Sequence, residues 1–295
     1  MELRSPIRLY WDISPLPRVA PDYGRISAQV AVSRVLSLNL TDLGPSLSPA
    51  TPLVLRDLCL PQLSLTVSAK ALQQAFALPE AGKVQKLLVD CSHAGEVEEA
   101  GIALLARSDR PVGISFRVRR ENLADLPTVA AWCEGHRVEL VLPMERLVTG
   151  EEPLCLDRQE QAELSGRLAA ACSLEALSVT IHDPFLWRIF HPRVPFPDGV
   201  CQAANTMLYV DPLGDVYPCP TMPVRLGSLV EQSWREIVAS GEKQEVRRRI
   251  LALPTACSGC GRQADCRGGC RGRGSAGRKE WDDADPGCGE TPGAE

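Results

Sequence analysis

Leu208-Tyr209-Val210-Asp211-Pro212-Leu213-Gly214-Asp215-Val216-Tyr217-Pro218-Cys219 reads as a hairpin. Its strands are Thr206 to Val210 and Asp215 to Tyr217, and Asp211-Pro212-Leu213-Gly214 joins them. Proline presets φ at the turn and glycine supplies the positive φ that a tight connection needs. The turn therefore sends Cys219 back towards Cys201. Working outward, seven cysteines share one spaced pattern: Cys201, twelve residues, Gly214, four residues, Cys219, a long gap, Cys257-x2-Cys260-x5-Cys266-x3-Cys270, and Cys288.

Thiolates are soft ligands that favour zinc or iron-sulfur centres, and close pairs with distant partners let a small fold close around metal. A structural zinc site, which would make the segment a rigid docking scaffold, remains an alternative on spacing alone. The other five cysteines, Cys59, Cys91, Cys133, Cys155 and Cys172, have no common spacing and are expected to be buried thiols. Met1 to Pro6 lacks the charged start and apolar core of a secretory signal, and no 18-residue apolar run occurs, so a cytoplasmic protein without membrane contact is expected. In a reducing compartment twelve cysteines point to metal ligands and free thiols rather than disulfides.

The formal net charge of -5 gives no reason to expect a nucleic-acid partner. Between Lys243 and Trp281, however, ten Lys or Arg stand against three Asp or Glu. Arginines placed between and beside the cysteines suit the offsetting of a thiolate-ligated, anionic cluster.

From Ile7 to about Ile181 short apolar runs alternate with helical stretches. Strands are expected at 7–12, 35–40, 63–67, 86–90, 112–116, 138–142 and 177–181, and helices at about 70–77, 96–107, 122–134 and 158–171. This alternation implies βαβ units and a parallel sheet, a partial (β/α) barrel over residues 1–184. The Pro- and Ser-rich segment from Asp42 to Asp57 is expected to be irregular. Prolines between Phe185 and Gly199 mark a linker, 185–200, before a small cysteine-rich domain at 201–290. Ser228-Leu229-Val230-Glu231 reads as a capping box opening an amphipathic helix over about 229–240. Beyond Pro254 apolar residues are too few to build a core, so metal must drive folding there.

The stretch from Cys201 to Cys288, with Cys266-Arg267-Gly268-Gly269-Cys270-Arg271, resembles the SPASM domain, the auxiliary iron-sulfur module of many radical S-adenosylmethionine (SAM) enzymes. The resemblance implies two [4Fe-4S] clusters held in an interleaved way: Cys201, Cys219 and Cys270 on the first, Cys257, Cys260, Cys266 and Cys288 on the second. Fully ligated members carry an eighth cysteine shortly before the first. Here His182 to Val200 contains none, which leaves an open iron or a fourth ligand from His191 or Asp198.

The barrel resembles a radical SAM domain in turn, yet the CxxxCxxC motif expected after the first strand is replaced by Pro15-Leu16-Pro17-Arg18-Val19, and no cysteine precedes Cys59. The glycine-rich turn after the second strand is replaced by Thr41-Asp42-Leu43-Gly44-Pro45. No SAM is therefore expected. The combination is similar to the SPASM-domain proteins of GeoRSP-type systems, which implies an accessory role beside a separate radical SAM/SPASM protein and a small PqqD-like peptide-binding protein. Such a protein would relay electrons or bind precursor peptide, and would not itself be a radical SAM enzyme. An enzyme that uses an open auxiliary iron is the alternative. Asp12, Asp42, Asp90, His93, Arg117, Arg119, Glu145 and His182 fall at or just after strand ends, where parallel α/β folds place ligands.

Overall fold

The computed structural model describes residues 3, 5–14, 20–107, 110–197, 201–261, 263–278 and 281–288. Ten strands form one sheet: β1 (Arg8–Asp12), β2 (Ser37–Asp42), β3 (Gln62–Ser68), β4 (Lys86–Cys91), β5 (Val112–Phe116), β6 (Glu139–Leu142), β7 (Val179–Ile181), β8 (Met207–Val210), β9 (Asp215–Tyr217) and β10 (Gly227–Ser228). Their order is β10-β9-β8-β1-β2-β3-β4-β5-β6-β7. Strands β1 to β7 pair in parallel in chain order, as the strand-helix alternation requires. Helices α1 (Tyr23–Ala31), α2 (Ala50–Asp57), α3 (Leu72–Phe76), α4 (Ala94–Arg107), α5 (Leu126–His136) and α6 (Arg158–Ala171) fill the crossovers. After β7 come α7 (Pro184–Phe190), α8 (Trp234–Ala239), α9 (Gly241–Leu251), α10 (Gln263–Cys266) and α11 (Arg271–Arg278).

Successive side chains of a strand point to opposite faces. Leu9, Trp11, Leu38, Leu40, Leu65, Val67, Val89, Ile114, Phe116 and Leu140 are fully buried or nearly so and belong to one hydrophobic core with Ile26, Val30, Val54, Val97, Leu104, Val129 and Leu168 from the helices. Each buried side chain of this kind contributes about 1.5–3 kcal/mol. The sheet curls enough to bring β1 and β7 within side-chain reach across it: the Tyr10 hydroxyl of β1 lies 3.2 Å from Nε2 of His182, just beyond β7. It is a partial barrel. No helix among the described residues is long and apolar enough to cross a membrane.

The hairpin adds to this same sheet. Strand β8 pairs with β1 in parallel, Leu9 opposite Leu208, and β9 returns antiparallel with Tyr209 opposite Tyr217. Gly214 has φ 86° in the turn, and a Cβ there would lie 2.9 Å from Cδ1 of Ile26. The Asp211 carboxylate accepts from the Leu213 and Asp215 amides at 2.9 Å each.

Several expectations are corrected. The Asp42–Asp57 segment contains α2, because the Asp42 carboxylate accepts from Ser48 N at 2.7 Å and Thr51 Oγ1 at 2.6 Å and so anchors the chain entering the helix. Within the expected linker, α7 starts at Pro184, where a missing N–H costs nothing. The Asp183 side chain caps it by accepting from Phe185 N and Leu186 N at 2.7 and 2.8 Å. The helix expected over 229–240 is shorter, α8, and its capping box is Ser233 with Glu236; Ser228 is in β10. Of the five cysteines expected to be buried, Cys91 and Cys133 are, whereas Cys59 is exposed and Cys155 and Cys172 are half-buried. All twelve cysteines are free thiols.

Candidate metal centre

A cavity of about 500 Å³ separates the ends of β6 and β7 from β8 and the cysteine-rich segment. Cys201, Cys219, Cys266 and Cys270 line it, with Glu145 and His182 facing them. Cys219 is brought here by the hairpin: Ala204 N donates to Pro218 O at 3.2 Å, which lays the chain after Cys201 beside the chain before Cys219. Burial pushes the Cys219 thiol up to about 12, and neighbouring Cys201 raises it further. Cys270 is raised well above the ordinary thiol value by burial, with Asp285 and Cys219 adding to it and Arg273 opposing. Cys219 is thus in electrostatic reach of both Cys201 and Cys270.

The other four form a second group. Cys257 is raised by burial first, then by Cys266, Cys288 and Cys260. Cys288 is raised by burial, then by Cys266, with Cys260 also contributing. Cys266 lines the cavity of the first set while belonging electrostatically to the second. The turn between Cys266 and Cys270 is sharp, since Arg267, Gly268 and Gly269 have φ 47°, 90° and 70°. At Gly269 a Cβ would sit 2.6 Å from Cβ of Asp285, so only glycine fits. Among the described residues no three Cys, His, Asp or Glu are already gathered around one metal-ion position.

Buried cations stand between the two sets. Arg271 is 4% exposed, and the thiols of Cys201, Cys257 and Cys270 all act on its charge. Its Nη2 donates to the Trp281 carbonyl at 2.8 Å, while its Nε is buried without a hydrogen-bond partner. Arg273 is 3% exposed, pairs with Asp183, and donates from Nε to Asp285 Oδ1 at 2.6 Å. Its backbone amide lies 3.5 Å from the Cys270 sulfur. Arg247 donates to the carbonyl of Cys201.

Of the two fourth-ligand candidates, His191 packs against Trp187 with ring centroids 4.1 Å apart and is not among the residues lining the cavity. Asp198 lies outside the described residues, as does Pro15–Val19, where the CxxxCxxC motif was sought.

The strand-end residues separate into roles. Asp12 pairs with Arg146 at 3.0 Å and accepts from the Tyr209 hydroxyl at 2.8 Å. Asp90 accepts from Ser115 at 2.7 Å, and Arg117 and Arg119 both bind Glu151 at 2.9 Å. His93 Nδ1 accepts from Glu96 N at 3.1 Å at the start of α4, and Asp42 holds its own loop. Burial pushes His182 down to about 4, with Arg8 acting in the same direction.

Behind these residues the barrel lumen is a second cavity of about 440 Å³ lined by polar side chains, including Tyr10, Asn39, Ser64, Lys86, Glu139 and Thr180. Ser64 donates to Asn39 at 2.7 Å and Thr180 to Glu139 at 2.7 Å. Sequence reasoning missed these residues. Their signal was present: positions 8, 10 and 12, 37, 39 and 41, and 62, 64 and 66 are polar or amphipathic, alternating with apolar neighbours. The Tyr10–His182 contact is the partition between lumen and thiol cavity, and burial raises Tyr10, with Cys219 among the groups that act on it.

Known proteins show the same parts. Residues 201–261 match SPASM, an iron-sulfur cluster-binding domain. An AdoMet-dependent heme synthase of Methanosarcina barkeri is 24% identical over 222 residues, 66% of this chain and 60% of that protein. The chain therefore spans about three fifths of the length of this curated relative. The solved structure of native anSMEcpe with bound AdoMet aligns with a TM-score of 0.65 at 13% identity, covering 96% of this chain and 94% of the other. That of anSMEcpe with AdoMet and Cp18Cys peptide aligns at 0.63 and 15%, covering 96% and 94%. The chain thus shares the fold of these AdoMet-bound structures, a parallel α/β sheet followed by a SPASM domain. Its last third carries an iron-sulfur cluster-binding domain.

Proposed function

We propose that the chain is an iron-sulfur accessory protein with two [4Fe-4S] clusters, the first on Cys201, Cys219 and Cys270 and the second on Cys257, Cys260, Cys266 and Cys288. The observation that carries this reading is the sorting of seven thiols into two adjoining sets with buried, partly unpartnered Arg271 between them. When bound, the clusters supply one-electron transfer. The chain's own part is to offset their charge with Arg271 and Arg273 and to exclude water from Cys219. Cys266 and Cys270, four residues apart, hold the two centres close.

In this reading the protein serves a separate radical SAM/SPASM enzyme, together with a PqqD-like peptide-binding protein, by relaying electrons or holding precursor peptide. The structural neighbour binds AdoMet, and another of its structures holds a peptide as well. The residues of this chain do not fit AdoMet in the same way. No cysteine precedes Cys59, and the carboxylate ending β1 is already taken by Arg146 and Tyr209.

The test is anaerobic purification with iron, sulfide and zinc counts, then EPR of the reduced protein. Two reducible clusters are expected, and Cys219→Ala and Cys260→Ala should each remove a different one. A colourless zinc protein would overturn the reading. Mixing with the partner enzyme and peptide then separates relay from peptide holding: a relay is needed in catalytic amount, a holder in stoichiometric amount.

A further inference from the structure

Three thiols would leave one iron of a four-iron cluster without a protein ligand, and the cavity those thiols line also holds a buried, unpartnered carboxylate oxygen. We propose that the Glu145 carboxylate is the fourth ligand of the first cluster, an inference that rests on the two-cluster reading above. Glu145 follows β6 and lines the same cavity as Cys201, Cys219 and Cys270. Its Oε1 accepts from Leu154 N at 2.7 Å and lies 4.0 Å from Arg273. Its Oε2 is buried with no hydrogen-bond partner. A buried carboxylate oxygen left without a partner is costly to desolvate, so it marks a position where a ligand can belong.

Two tethers set Glu145 among the thiols. Its backbone carbonyl accepts from Thr221 Oγ1 at 2.9 Å, two residues after Cys219. Arg273, beside its carboxylate, places its amide 3.5 Å from the Cys270 sulfur. The rivals are less well placed. His182 lines the cavity but gives its Nε2 to Tyr10. Cys155 is close enough to Arg273 and Glu145 to feel their charges, yet is not among the cavity-lining residues. A carboxylate is a harder donor than a thiolate and binds iron less firmly. Held by Glu145, that iron would be the more readily exchanged one of the first cluster.

The experiment uses the full chain reconstituted anaerobically with isotopically enriched iron, as wild type, Glu145→Ala, Glu145→Cys, His182→Ala and Cys155→Ala. Iron and sulfide counts test the two-cluster reading; Mössbauer and EPR spectra test the ligand. Wild type should show one iron subsite distinct from the rest, and Glu145→Cys should abolish that distinction. On mild oxidation Glu145→Ala should give a three-iron EPR signal approaching one per chain, whereas Glu145→Cys, His182→Ala and Cys155→Ala give no more than wild type. Asp183 and Asp285 still pair with Arg273 in every variant, so the fold is retained, which circular dichroism checks. Two clusters with Glu145→Ala spectroscopically identical to wild type, or a three-iron signal from Cys155→Ala instead, would overturn the proposal alone. Fewer than two clusters in wild type would overturn the two-cluster reading and this inference with it.

Discussion

The barrel and the cysteine-rich tail bury opposite kinds of residue. Through β1 to β7 the buried set is mainly Leu, Val, Ile, Trp and Phe, clamped between sheet and helices, with a few hydrogen-bonded polar groups such as Asp12 and Asp42. Among the described residues after Ile250 no large apolar side chain is buried, and the interior holds Arg271, Arg273 and Asp285. One region folds by removing apolar surface from water; the other encloses charge, which is costly unless that charge is paired or bound to metal. The barrel thus carries its own stability and the tail borrows it, from β8 on the sheet and from iron in the reading above.

Iron removal should split the two regions most widely. Chelation under anaerobic conditions is expected to abolish hydrogen-exchange protection in 255–288 while β1 to β6 keep theirs, because metal affinity there is folding free energy. Equal loss in both regions would show that the barrel depends on the metal too. Next in size is Arg273→Ala, which strands Asp183 and Asp285 and should cost about 3–5 kcal/mol in denaturant unfolding. Leu38→Ala in the barrel core should cost about 2–5 kcal/mol whether or not iron is present, the control that the tail variant lacks. Gly269→Ala, at φ 70° and against Asp285, is expected to cost about 1–3 kcal/mol and to lower the iron count before it lowers barrel stability.

The smallest effect is a pH dependence at the partition. His182 titrates near 4 in the fold against an ordinary value of 6.5, so below 6.5 the unfolded chain binds the proton more readily. Stability should fall as pH drops from about 6.5 towards 4 and level off beneath that. Thermal melts of His182→Gln across this window should be flatter than wild type; an unchanged slope would show that His182 is not the group responsible.

Much of the sheet was legible because strand and helix periods survive in 8–12, 86–91, 112–116 and 158–171. The hairpin was legible through Pro212 and Gly214. The helices at 50–57 and 184–190 were not, because prolines that break a helix interior are harmless at its start; Asp42 anchors the first through its loop, whereas the Asp183-Pro184 pair that opens the second was a local signal. The lumen was overlooked for a different cause: seven strands each show a weak alternation, and only their curling into one wall makes it a polar cavity.

By itself the sequence determined which atoms can bind metal and how far apart along the chain they lie, since seven thiols at those gaps are a matter of composition and spacing. It also determined the parallel sheet, since local periodicity is a short-range property. Only the tertiary structure decided that β8 pairs with β1, that Arg271 stands between the two thiol sets, and that Glu145 has an unpartnered oxygen and lines the same cavity as Cys219 and Cys270. Those are contacts between residues separated by scores of positions, and no local pattern encodes them; they exist once the core has placed β6, β8 and the tail around one cavity.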